Sequence, residues 1–232
     1  MLKKSLKVFI FLTLLLSVTT MTVSAQSVNI QDENSKESEL SGTLDVSNDD
    51  GEILSFDEMA KEYTEAFDIT LEEAKKRLFE GSVWVSDTGE VTPLSEVTPL
   101  SLARDVDIQA LAYRTLSSTF TVTSSYKPKL QYYSQVDIQP GSSFRAIVKI
   151  LDVNLNRSAN GKSKQFSGKV YTHLENPNRI KYTVNGDWYN NGTTTYNGGV
   201  NIKVGKAATI TFGVSHATNH YKYQNATGHY NY

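Results

Sequence analysis

The chain has 232 residues, a formal net charge of −2, 13 tyrosines and no cysteine. With no thiol, neither a disulfide framework nor a lipid on a cysteine is possible. The near-neutral total hides a split: residues 26–112 carry 21 acidic against 6 basic side chains, whereas residues 113–232 carry 4 against 14.

Lys3, Lys4 and Lys7 precede an apolar run from Val8 to Val18. That run is too short to span a bilayer, which needs ~20 residues, and reads as the core of a secretory signal. Val23-Ser24-Ala25 places small side chains for cleavage after Ala25. The lysine-bearing leader and the lack of cysteine point to export from a Gram-positive cell. The chain ends Tyr230-Asn231-Tyr232, with nothing resembling an anchor, so a secreted, extracellular or loosely wall-associated protein is expected.

Residues 26–55 carry eight acids against Lys36 alone, with few large apolar groups, and are expected to be disordered. Residues 56–81 read as a helical hairpin. Ser55-Phe56-Asp57-Glu58 and Thr70-Leu71-Glu72-Glu73 fit the capping-box pattern, and Asp68 marks the corner. Met59, Tyr63, Ala66 and Phe67 form one apolar stripe; Leu71, Ala74 and Leu78 form another, closed by Gly81. The acidic surface argues against a DNA-binding helix pair, because phosphate contacts need basic side chains. A small docking element is the expectation.

Residues 82–112 read as a linker. Val91-Thr92-Pro93-Leu94-Ser95 recurs as Val97-Thr98-Pro99-Leu100-Ser101, a composition that favours an extended, accessible chain. Arg104 and Ala110-Leu111-Ala112 offer a protease places to cut, which would make the acidic half a pro-region; an uncut spacer is the alternative.

From residue 113 onward the pattern has period two. Phe144, Ala146, Val148 and Ile150 read as one buried strand face, and Ile180, Tyr182 and Val184 as another. Val200, Ile202 and Val204, and Ile210, Phe212 and Val214, continue the series. Turn signals intervene at Asn160-Gly161, Asn176-Pro177-Asn178, Asn185-Gly186-Asp187, Asn191-Gly192 and Asn197-Gly198-Gly199. The expected fold class is mainly β: an antiparallel β-sandwich or small barrel over residues 113–232, basic and tyrosine-rich.

Ser163-Lys164-Gln165-Phe166-Ser167-Gly168, the run from Val184 to Gly192, and Asn219-His220-Tyr221-Lys222-Tyr223 carry a resemblance. Over Ile150 to Tyr232 the chain resembles an uncharacterised secreted β-domain family of Gram-positive bacteria. The resemblance implies compartment and fold class and brings no activity.

Catalysis finds little footing. The β half has only Asp137, Asp152, Glu175 and Asp187 as acids. Asp187 reads as a turn-capping carboxylate, and Asp152 as the partner of a lysine or arginine. Ser215 and His216 are adjacent, so in a strand they point to opposite faces, and no Gly-x-Ser-x-Gly elbow occurs. No catalytic residue and no cofactor are expected. His216, His220 and His229 are the candidate metal ligands, weakened by a turn expected at Ala217-Thr218-Asn219.

Binding has more support. Arg145, Lys149, Lys164, Lys169, Arg179, Lys181, Lys203 and Lys222 are expected on outward strand faces or loops, where they would draw an anionic partner. Trp188, Tyr189, Tyr221 and Tyr223 would supply flat aromatic contacts. The leading expectation is a non-enzymatic binder of an anionic cell-wall polymer, polysaccharide or lipid surface, masked by contact with its own acidic N-terminal region, with no specific nucleic acid as partner. A toxin or bacteriocin-like effector with an acidic pro-region is the second reading, and a metal-dependent or hydrolytic enzyme the third. Against all three stands a lysine-coated sandwich whose tyrosines pack across strands.

Overall fold

The computed structural model describes residues 42–43, 46–86, 88–97, 111–138, 143–197 and 199–232. The signal segment, the cleavage point after Ala25, Arg104 and Ala110 lie outside them. In chain order the elements begin with strands β1 (Gly42–Thr43) and β2 (Val46–Asp49), helices α1 (Phe56–Phe67) and α2 (Leu71–Gly81), and the hairpin β3 (Val83–Val85) and β4 (Val91–Pro93). Then come β5 (Ala112–Phe120), β6 (Lys129–Ile138), β7 (Arg145–Asn156), the small hairpin β8 (Ser158–Ala159) and β9 (Lys162–Ser163), β10 (Gln165–Asn176), β11 (Arg179–Asn197), β12 (Ile202–Lys203) and β13 (Lys206–Asn231).

Two sheets and a helical layer stack into one unit. The first sheet has the order β12-β7-β6-β5-β2 and is antiparallel throughout. The second has the order β1-β13-β10-β11. Its geometry is unusual because β13 serves both sides of the β10–β11 hairpin. Residues 206–212 of β13 pair with β10, and residues 222–231 pair with the first half of β11. Between them, Gly213 to His220 forms a ribbon with the second half of β11, and His216 and Asn219 take positive φ there. Asn185-Gly186-Asp187, Asn191-Gly192 and Ala217-Thr218-Asn219 are therefore not turns: each lies inside a long strand. Asn160-Gly161 does make a tight turn, with φ of 51° and 70°, between β8 and β9.

The antiparallel sandwich expected for the β half is present. Leu116, Tyr132, Ile147 and Val153 of the first sheet meet Val170, Tyr182, Trp188 and Phe212 of the second in one apolar core. Strict alternation holds in β10 and in the first half of β11, where Ile180, Tyr182 and Val184 point inward. It fails in β7. Two bulges there, opposite Gln135/Val136 and Tyr133/Ser134, each insert one residue. The core-facing set becomes Ile147, Ile150, Val153 and Leu155, while Phe144 is exposed and Ala146 and Val148 are only half-buried.

The helices form where the caps expected from sequence stand. Ser55 and Glu58 complete a reciprocal capping box, the Thr70 hydroxyl accepts from the Glu73 N–H, and Asp68 sits at φ 52° in the corner. Their apolar stripes do more than close a hairpin. Met59, Ala60, Tyr63, Ala74 and Leu78 bury against Tyr113, Tyr133 and Leu151 on the outer face of the first sheet. The tyrosine ring of Tyr63 lies 5.1 Å from that of Tyr133. A helical third layer results.

Two stretches expected to lack structure have it. Within 26–55, residues Val46–Asp49 add an antiparallel edge strand beside β5. Backbone pairing and polar anchors hold it: the Ser118 hydroxyl donates to Asn48, and Asp50 accepts from Arg145 and Tyr230. Within 82–112, β3 and β4 pair, the Gln135 side-chain amide satisfies both backbone groups of Val83, and Leu94 is fully buried. Pro93, at the strand end, does not interrupt this hairpin. Among the described residues, no helix is long and apolar enough to cross a membrane.

Candidate functional site

Among the described residues, no other element covers the outer face of the second sheet. Alternation places its side chains in rows across three strands, in cross-strand pairs whose Cβ atoms lie ~5 Å apart. His173, Lys181 and His229 form one row; Tyr171, Thr183 and Thr227 the next; Lys169, Asn185 and Asn225 a third. Asp187 and Tyr223 continue the face toward Tyr189 and His220. The Thr183 and Thr227 hydroxyls bond at 2.8 Å, and the Tyr223 hydroxyl donates to Asn185 at 3.3 Å.

Charge on this face is one-sided. Asp187 is engaged by His220 Nε2 at 2.8 Å, and Glu175 by Arg179 at 3.2 Å. Lys169 and Lys181 make no hydrogen bond or ion pair among the described residues. Around them stand the rings of Tyr171, Tyr189 and Tyr223, the last 52% exposed. The helices, which carry Asp57, Glu58, Glu62, Glu65, Glu72, Glu73 and Glu80, lie on the opposite side of the sandwich.

Of the cationic and aromatic residues singled out from sequence as an anion-binding set, Lys169, Arg179, Lys181, Tyr189 and Tyr223 share this face. The other cationic and aromatic members of that set do not. Lys149 is buried beneath the end of α2, where its ammonium donates to the Gly81 carbonyl at 2.6 Å. Burial first, and then the neighbouring charge of Lys203, push its pKa down to about 8. Lys164 is buried too: its ammonium sits 3.8 Å from the Tyr221 ring centre and bonds Asn190 at 2.5 Å. Arg145 belongs to the other sheet, paired with Asp50 at 2.5 Å and lying 4.8 Å from the centre of the Tyr232 ring. Lys203 is exposed on β12, at the edge of the first sheet beside Lys149, and Lys222 donates to the Val122 carbonyl.

Trp188 is fully buried among Phe120, Tyr126 and Phe166, and its indole N–H bonds Gln224 at 3.2 Å. It shares the inward phase of Tyr182 and Val184, so it is a core side chain and not a surface contact. The Tyr221 hydroxyl is held by Thr123 at 2.7 Å. Asp152 pairs with neither lysine nor arginine: the Tyr196 hydroxyl donates to it at 2.6 Å.

The histidines do not converge. His229 pairs across from Lys181 and His220 from Tyr189, nine residues apart on one strand, which at ~3.3 Å per residue separates them by roughly 30 Å. His216 stands exposed at the ribbon. Among the described residues no group of three His, Cys, Asp or Glu side chains could hold a metal. Ser215 donates weakly to the Thr193 carbonyl at 3.4 Å and has no base beside it.

Sequence reasoning passed over Tyr171, His173, Thr183 and Asn185. The signal was present: each alternates with the inward set of Val170, Thr172, Leu174, Tyr182 and Val184, so the same period that defines the core also defines the face. In comparisons with family models, with curated proteins and with solved structures, the chain finds no match.

Proposed function

We propose that this chain is a secreted, non-enzymatic binding protein whose outer tyrosine–lysine face takes an anionic polymer of the cell envelope. The observation that carries the reading is the open row His173–Lys181–His229, backed by Lys169, with the neighbouring acids already engaged. A sheet face that sets Lys169 and Lys181 on adjacent strands, four residues apart along them, suits a polymer bearing repeated phosphate or carboxylate groups. The half-exposed tyrosines add ring faces for the apolar sides of sugars, and the threonine and asparagine rows add hydrogen-bond partners.

The acidic layer is part of this reading in a modified form. Its helices protect Tyr113, Tyr133 and Leu151 of the first sheet, so removing them would strip an apolar face. The acidic helices thus act as a permanent layer, and charge is separated between the two sides of the sandwich. Cosedimentation of the full chain with purified Gram-positive walls, before and after extraction of their phosphate polymers, tests the proposal. Binding should fall on extraction and weaken steeply with salt, as exposed charges are screened over ~8–10 Å at physiological ionic strength. Equal binding to extracted walls, or salt-insensitive binding, contradicts it. Dye release from anionic vesicles would instead favour the effector reading.

A further inference from the structure

The helices cover only part of the outer face of the first sheet. Beyond them, Asp49, Ser117, Gln131 and Asn154 form a polar row across β2, β5, β6 and β7. Glu62 and Glu65 of α1 stand beside this row as a wall, and the space between is a trough of about 620 Å³. Past Ala66 and Asn154 the trough opens into a second hollow of about 380 Å³. There the half-exposed rings of Phe67 and Tyr196 lie 5.9 Å apart, and Tyr196 and Phe212 5.3 Å apart.

The two parts differ in chemistry. The trough offers a floor of amide, hydroxyl and carboxylate groups with spare hydrogen-bonding capacity. Gln131 has one bond, a long one of 3.4 Å from Asn154, while Ser117 and Glu65 make none from their side chains among the described residues. The hollow offers ring faces. Hydroxyl-rich edges and C–H faces are the two surfaces of a sugar, and the groove presents a partner for each. The charge in the trough is negative. Among the described residues, Glu65 is exposed with no partner to its side chain, and Glu62 accepts from the Thr115 hydroxyl. Two cations also line it: Arg157 is already held by Gln165 at 2.6 Å, Thr194 at 3.0 Å and the Lys164 carbonyl at 3.3 Å, and Lys129, exposed on β6, is outnumbered by Asp49, Glu52, Glu62 and Glu65.

We infer that this groove binds a short oligosaccharide carrying free amino groups. Its hydroxyls lie on the Ser117–Gln131–Asn154 floor, an ammonium meets Glu65 and Glu62, and one sugar face packs in the hollow against Tyr196 and Phe67. The site is on the opposite side of the sandwich from the basic face and is independent of what that face binds.

Calorimetric titration of the full chain with the tetramers of glucosamine, N-acetylglucosamine and glucose tests the inference. The glucosamine tetramer should bind tightest. Glu65→Gln and Gln131→Ala should each weaken it about tenfold, the size of one hydrogen bond to a charged or polar ligand group. Glu65 has no partner to lose and Gln131 only one weak bond, so both variants should fold. Glu72→Gln, on the exposed surface of α2, removes the same charge elsewhere and should leave the titration unchanged. Absence of binding, an acetylated or neutral tetramer that binds as tightly, or an equal loss in Glu72→Gln overturns the inference. Wall cosedimentation unaltered by Glu65→Gln separates this result from the fate of the basic face.

Discussion

The buried carboxylate of Asp152 depends on a single hydroxyl from the other sheet, that of Tyr196, together with the backbone N–H of Val153. Burial raises its pKa above the ordinary carboxylate value, and the hydrogen bonds hold it down in part. Because the folded state keeps this proton longer than the unfolded chain, ionised Asp152 is a liability at neutral pH that is relieved as pH falls through the folded pKa. Tyr196→Phe should therefore destabilise by ~1–3 kcal/mol at pH 7, and the gap to wild type should narrow on acidification. Urea melts at several pH values measure this; a constant gap contradicts it. Lys149 has the opposite sign of charge and the same logic. Its folded pKa is about 8 against an ordinary 10.5, so between those values the unfolded chain binds the extra proton and stability rises with pH. Relative to Lys149→Met, wild type should gain stability between pH 8 and 10, which paired melts would show.

At the scale of elements, close backbone approach explains features that read as turns. A Cβ on Gly186 would meet the Ser167 carbonyl oxygen at 2.3 Å and the Gly168 Cα at 2.7 Å. Gly186→Ala should force β10 and β11 apart and lower stability by ~1–3 kcal/mol, the usual cost of overpacking; an unchanged melting temperature would refute this. Asn185-Gly186-Asp187 carries the same letters as a hairpin turn, and only the partner strand distinguishes them. Caps were legible because they are local: Ser55 and Glu58 find each other within one turn. The bulges of β7 were not, since an inserted residue shows only against β6. For the same reason Lys149 was read as outward and found buried. In β10 and the first half of β11, where alternation is unbroken, Lys169, Arg179 and Lys181 point outward, as expected of them. Trp188 was misread from its residue type although its phase marked it as core. The helical stripes were legible as apolar, but their partners, Tyr113 and Tyr133, lie 46 or more residues away from the end of α1 in the sequence.

At the scale of the molecule, tyrosine is the principal interior aromatic as well as the surface one. Burial pushes the phenols of Tyr113 and Tyr182 up to about 12, and those of Tyr126, Tyr132, Tyr133, Tyr196 and Tyr230 higher still. Unfolded tyrosines lose their protons near 10, so stability should fall steeply above that pH. Absorbance at alkaline pH should show the exposed tyrosines ionising first and the buried ones only as the fold is lost; one smooth titration of all tyrosines with the fold intact contradicts the packing described. Layering also separates charge, with an acidic helical layer on one side and the open lysines Lys169 and Lys181 on the other. The central claim is that this lysine-bearing face binds the anionic polymer. The most direct test compares wall binding of Lys169→Glu/Lys181→Glu with that of Lys61→Glu/Lys76→Glu, which changes net charge equally on the exposed surface of the helices. With ~1 kcal/mol per lysine at an anionic surface, the first pair should lose at least about tenfold in affinity and the second little. Equal losses in both, or none in the first, would contradict the account.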